Sequence, residues 1–188
     1  MFLETGMYFF LAMILLTLPL PWILSALLAA VVHELFHVAA VWLLRGRIRR
    51  VSVGIGGARM ETELEGAFAR ILAALAGPLG SFLLLLLCRY MPKVAVCGCV
   101  QGLFNLLPIW PLDGGRAWRI FLEGVFPGAG ERLFFLTEKA VVMMILALLC
   151  LGAAAGFLDF WVIPAAVMTV FGRLGRKIPC KQQRIGVQ

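Results

Sequence analysis

The only two histidines in this 188-residue chain, His33 and His37, stand four residues apart in the stretch AAVVHELFHVAAVW, with Glu34 directly after the first. On an α-helix, positions four apart lie one above the other with Cβ atoms about 5–6 Å apart. Both imidazoles can then offer a nitrogen to one ion, typically Zn²⁺ at about 2.0–2.1 Å. Glu34 is rotated about 100° from His33, where its carboxylate can reach a water at the metal without itself becoming a ligand. Such a site acidifies water, and a neighbouring carboxylate can take the proton as the water oxygen attacks a carbonyl.

The surroundings make this pattern costly. The chain is 62% hydrophobic and only 14% charged, with a mean hydropathy of +0.98. Soluble domains carry roughly 45–50% apolar and about 25% charged residues, so these values describe an integral membrane protein. An acidic group at the centre of a membrane helix costs roughly 2.5–3.5 kcal/mol on insertion scales. Glu34 therefore calls for a compensating partner, which a metal bound by the adjacent histidines supplies.

The net charge of +7 sits in short blocks beside apolar segments, RGRIRR at 45–50 and GRLGRK at 172–177. That placement orients a membrane protein, so a lipid bilayer is the expected partner and nucleic acid is not. The five cysteines are odd in number and lie mostly in or beside apolar runs, and Cys97-Gly98-Cys99 lacks a CxxC spacing. They read as small membrane residues, not as a disulfide framework or a zinc site. MFLETG has no basic leader region, so the first apolar segment is expected to be retained.

Several elements must position the histidines. The apolar stretch from Met7 to Leu44 is interrupted by Pro19 and Pro21, which predicts two helices, about 6–18 and 22–44. IRRVSVGIGGARMETELEG alternates apolar and polar residues around Gly54, Gly56 and Gly57, as a hairpin would. A third helix is expected at about 67–88. A fourth begins near Val94 and meets NLLPIWPLDGG, where Pro108 and Pro111 forbid regular helix. Non-helical backbone at membrane depth survives only when buried in protein or lining a watery cavity. An amphipathic stretch at 114–132 and two spans at about 137–155 and 158–172, the last broken by Pro164, complete the expectation. The predicted fold is an all-α polytopic membrane protein with about six spans, a small membrane-associated β-hairpin between the second and third, and a broken fourth helix. Both termini are expected in the cytoplasm. Residues 1–188 are read as a single transmembrane domain without a separate soluble regulatory domain.

Two imidazoles leave a catalytic site one protein ligand short, since such sites usually hold three and leave one position open. Asp159 falls in a turn between the last two spans and reads as a loop carboxylate, and Glu61, Glu63 and Glu65 as a solvated face of the hairpin. Asp113, directly after the broken helix and beside Gly114 and Gly115, is the preferred third ligand. Its alternative role is N-cap of the helix that starts at Gly114.

HELFH on the second helix, AGPLGS on the third and NLLPIWPLDGGR after the fourth resemble the site-2 protease family of intramembrane zinc metalloproteases. Over roughly residues 22–120, the order RIRRV, hairpin, NLLPIWPLDGG is most similar to the family's sporulation branch, which cleaves a pro-sigma factor. The resemblance implies one zinc ion per chain, held by His33, His37 and Asp113, with Glu34 as general base and later proton donor. It implies that Asn105 and Pro108 lie along the substrate, where extended backbone could pair with an unwound chain as an added strand. It also implies a membrane-associated protein substrate, inhibitory membrane proteins as possible partners, and the bacterial cytoplasmic membrane as location. Two departures stand out: Phe36 where the family commonly has glycine, and Ser81 where asparagine often follows the Gly-Pro. Neither removes a ligand. Cleavage of an anti-sigma factor or of signal-peptide remnants, and metal binding or transport without hydrolysis, remain as alternative readings.

Overall fold

The computed structural model describes residues 19–54 and 57–156. The expected helices at 6–18 and 158–172, Asp159 and the basic segment 172–184 lie outside the described residues. The described chain divides between Glu138 and Lys139 into two compact units.

The first unit opens with α1, Leu20–Leu43, which carries Pro21 in its first turn, where the missing N–H costs no helical bond. Its 24 residues span about 36 Å, enough to cross a hydrocarbon core of about 30 Å. Ser25, Ala29, His33 and Val41 are its buried residues, and with His37 they form a single row of positions four apart. Leu24, Leu27, Leu28, Val31 and Leu35 are exposed, as suits a helix whose solvent is lipid.

The chain leaves α1 through Arg45 in the left-handed region (φ 55°) and Gly46, where a Cβ would press on Leu64 and Val41. Strands β1, Arg47–Gly54, and β2, Gly57–Glu63, pair antiparallel from Arg47↔Glu63 to Gly54↔Gly57, with an irregularity between Ile48 and Arg50.

Helix α2, Ala67–Leu83, continues through a tighter 3-10 turn at Leu84–Leu87. Pro78 lies inside it, fully buried; membrane helices tolerate such a proline because neighbours satisfy the freed groups. Helix α3, Pro92–Asn105, has 14 residues, about 21 Å, too short to cross alone. It ends where Pro108 and Pro111 rule out further helix. Helix α4, Asp113–Val125, follows a series of turns. Helix α1 packs on α2 and α3, and α2 packs on α3 and α4. Ala29, Leu84 and Val94 form a buried apolar cluster, joined by Val32 and Cys97.

The last described helix, α5, runs Gly130–Ala154. It begins seven residues earlier than the expected 137, and the expected amphipathic stretch 114–132 is interrupted at Phe126-Pro127-Gly128. A residue before proline avoids helical geometry, and Gly128 takes a positive φ of 89°. The part of α5 in the second unit, Lys139–Ala154, exposes Met143, Met144, Leu148 and Leu151. Among the described residues, Leu20–Leu43, Ala67–Leu87 and Gly130–Ala154 are long and apolar enough to cross a membrane.

Candidate metal centre

The facing rows of α1 and α2 build most of the site. Ala73, Gly77 and Ser81 lie four apart on α2 and are all buried, opposite His37 and His33. The Nδ1–H of His37 donates to the Ala73 carbonyl over 2.8 Å, and His33 Nδ1 lies 2.8 Å from Ser81 Oγ. Between these two contacts sits Gly77, where a Cβ would run into the Nε2 atoms of both histidines. Glycine there lets the rings turn their Nε2 atoms towards each other, 3.2 Å apart.

Asp113 arrives at the start of α4, which packs on α2. Its Oδ2 lies 3.0 Å from His33 Nε2 and 3.1 Å from His37 Nε2. Leu112 occupies the N-cap position of α4 and no side chain caps that end, so the Asp113 carboxylate is aimed at the histidines and does not cap its own helix. Arg116 Nη1, 3.9 Å from Oδ1, accompanies the other carboxylate oxygen. His33 and Asp113 are buried and His37 half-buried, and the three offered atoms all lie within 4.8 Å of one another.

The donor set fits a cation. A carbonyl only accepts, so the Ala73 contact fixes the proton of neutral His37 on Nδ1, and the lone pair of Nε2 faces Asp113 Oδ2. A nitrogen lone pair and a carboxylate oxygen at 3.1 Å repel unless positive charge lies between them. Glu34 is half-buried, one residue past His33.

The placement of Asp113 depends on two glycines. A Cβ on Gly114 would collide with the backbone of Leu106, and one on Gly115 with the Ile109 carbonyl. Their absence of side chains lets the 106–112 segment fold directly over the start of α4. That segment is held by Leu107 N–H to Phe104 O (3.2 Å), Ile109 N–H to Leu107 O (2.8 Å) and Leu112 N–H to Ile109 O (2.9 Å). The Trp110 N–H donates to Glu138 Oε1 over 2.9 Å.

These bonds correct one expectation. The backbone after Asn105 is a compact run of turns and not an extended edge, because every N–H from Leu106 to Leu112 is already donated and Pro108 and Pro111 have none. Asn105 and Pro108 are half-buried, and the Asn105 side-chain amide donates to Gln101 O of its own helix over 3.2 Å. Glu63 and Glu65 are exposed and lie outside the histidine–aspartate group. Phe36 is not idle: its ring lies where a Cβ on Gly80 would stand, so a large residue on α1 is matched by the smallest on α2. Ala73, Gly77 and Gly80 were missed from sequence, although their spacing along α2 signals a close helix contact.

Residues 87–152 match the model of Peptidase family M50, a stretch that includes Asp113 but begins beyond His33, Glu34 and His37. The structure is similar to the site-2 protease from Methanocaldococcus jannaschii, with a TM-score of 0.61 at 18% identity, covering 89% of this chain and 85% of that one. The chain has the site-2 protease fold. No curated protein matches its sequence significantly. Within the site-2 protease fold of this chain, the family match covers the broken α3–α4 region, while the histidine pair stands on α1, outside it.

Proposed function

We propose that the chain is an intramembrane zinc endopeptidase of the HExxH type, acting on a membrane-associated protein. The observation that carries this reading is the convergence of His33, His37 and Asp113 on one point, with His33 and Asp113 80 positions apart, in a chain that is 62% hydrophobic. The M50 match and the site-2 protease fold support the same reading.

His33 and His37 through Nε2 and Asp113 through Oδ2 are the groups to hold the ion. Zinc bound there supplies a Lewis acid that polarises a carbonyl and acidifies water. Glu34, half-buried beside His33, takes the proton from the attacking water and returns it to the departing amide nitrogen, so its carboxylate is regenerated each cycle. Ala73 and Ser81 hold the two rings, and Gly77 keeps the space between them clear. Asn105 and Pro108 are proposed to border the substrate through side chain and ring, with the two-stranded β1–β2 sheet offering the edge to which an unwound substrate adds.

The site lies about 9 Å from the end of α1 that leads into the Arg45–Arg50 basic cluster, six residues beyond His37. Basic loops mark the cytoplasmic side. The bond cleaved is therefore near the cytoplasmic face, in a protein of about six spans that sits in the bacterial cytoplasmic membrane with both termini in the cytoplasm. A membrane-associated pro-sigma factor is the substrate class that the RIRRV–hairpin–NLLPIWPLDGG order supports.

Glu34→Gln tests the mechanism. Cleavage of a co-expressed pro-sigma factor is expected to be abolished while the purified variant keeps its zinc. Continued cleavage overturns the role of Glu34, and zinc missing from the unmodified protein overturns the site.

A further inference from the structure

Ser81 is fully buried, and its hydroxyl is the partner of His33 Nδ1. We propose that Ser81 is a positioning residue of the metal centre: by accepting the His33 Nδ1–H, it holds the ring in the tautomer that a cation at Nε2 requires, with the Nε2 lone pair facing Asp113 and His37. The inference rests on the metal reading above.

A neutral imidazole carries its proton on one nitrogen or the other, and the hydrogen bond at one ring atom decides what the other can do. For His37 the Ala73 carbonyl makes that decision alone, since it can only accept. A hydroxyl can donate or accept, so the Ser81 contact is permissive by itself. Directionality comes from the far side of the ring, where Asp113 Oδ2 stands 3.0 Å from Nε2 and His37 Nε2 stands 3.2 Å away. A cation at that point requires the His33 proton on Nδ1, and Ser81 is the group placed to take it.

Three helices meet at this side chain. His33 comes from α1 and Ser81 from α2, while α3 lies against Ser81 through glycines. A Cβ on Gly98 would fall 2.7 Å from the Ser81 carbonyl oxygen, and one on Gly102 would fall 3.2 Å from the Ser81 Cβ. The hydroxymethyl group is thereby held in place and sheltered from water that would compete for the His33 N–H. The same α3 leads into the turns that deliver Asp113, so Ser81 ties the orientation of one proposed ligand to the helix that positions another.

Outer partners of metal-bound histidines typically contribute about 10–100-fold to metal affinity. The purified full chain, its Ser81→Ala and its Ser81→Cys variants are compared by zinc competition against a chromophoric chelator, with the cobalt(II) absorption spectrum as a signature of ligand geometry. Both variants are expected to bind zinc about 10–100-fold more weakly and to shift the cobalt spectrum, while thermal unfolding of the metal-free proteins stays close to that of the unmodified chain. Cysteine keeps the volume but accepts poorly. Unchanged affinity in both variants, or affinity restored by cysteine but not alanine, overturns the proposal, the latter by showing that Ser81 only fills space. Zinc absent from the unmodified chain overturns the metal reading itself and this proposal with it.

Discussion

The two sides of the site are built in opposite ways. His33 and His37 stand on an uninterrupted helix, where their spacing alone sets them on one face. Asp113 stands at the first position of a short helix, behind turns that no regular geometry prescribes. On the α1–α2 side, close approach comes from small side chains in register, Ala73, Gly77 and Ser81. On the α3–α4 side it comes from backbone lying on backbone over Gly114 and Gly115. The lesson is that a methyl group should be tolerated differently on the two sides, because a ring can swing aside and a main-chain carbonyl cannot.

The largest effect is expected at Gly114→Ala. Its Cβ would meet the carbonyl group of Leu106, so the turn has to move and carry Asp113 with it. Overpacking of this kind costs about 1–3 kcal/mol. Thermal unfolding in detergent should show that loss, together with a fall in zinc affinity of about 100-fold, as expected for seriously disturbed ligand surroundings. Full zinc affinity in a destabilised protein would separate Asp113 from the turn.

Gly77→Ala should break the other side more cleanly. The added methyl points at the Nε2 atoms of both histidines, so zinc affinity falls by about 10–100-fold while the unfolding midpoint barely changes, since alanine is also the better helix former by about 1 kcal/mol. A large loss of stability with unaltered zinc binding would contradict the difference drawn between the two sides. The smallest effect is expected at Gly124→Ala, an exposed position of α4 where a Cβ meets nothing within 4 Å. Helix propensity alone predicts a gain of about 0.5–1 kcal/mol, with zinc affinity unchanged, and a loss of stability there would show that an unseen contact constrains α4.

Legibility in the sequence follows the same division. The bounds of α1 were readable within about two residues because apolar length and Pro21 govern them. The start of α5 was misplaced because Glu131 and Arg132 made its first turn look like surface helix, whereas Pro127 and Gly128 in fact mark the break. The extended backbone expected after Asn105 was misjudged because prolines reveal only where helix is forbidden. They do not reveal which carbonyls the remaining N–H groups will find.

Sequence by itself determined that the chain belongs in a membrane, that His33 and His37 share a helix face beside Glu34, and that the helix before Asp113 must break. These are consequences of composition, of a 3.6-residue period and of the chemistry of proline, all local in the chain. Only the tertiary structure decided that Asp113 Oδ2 reaches both Nε2 atoms, that Ala73 and Ser81 hold the rings, and that Gly80 makes room for Phe36. Those facts join residues up to 80 positions apart, and their geometry comes from how closely small residues let neighbouring helices and turns approach, which no local pattern states.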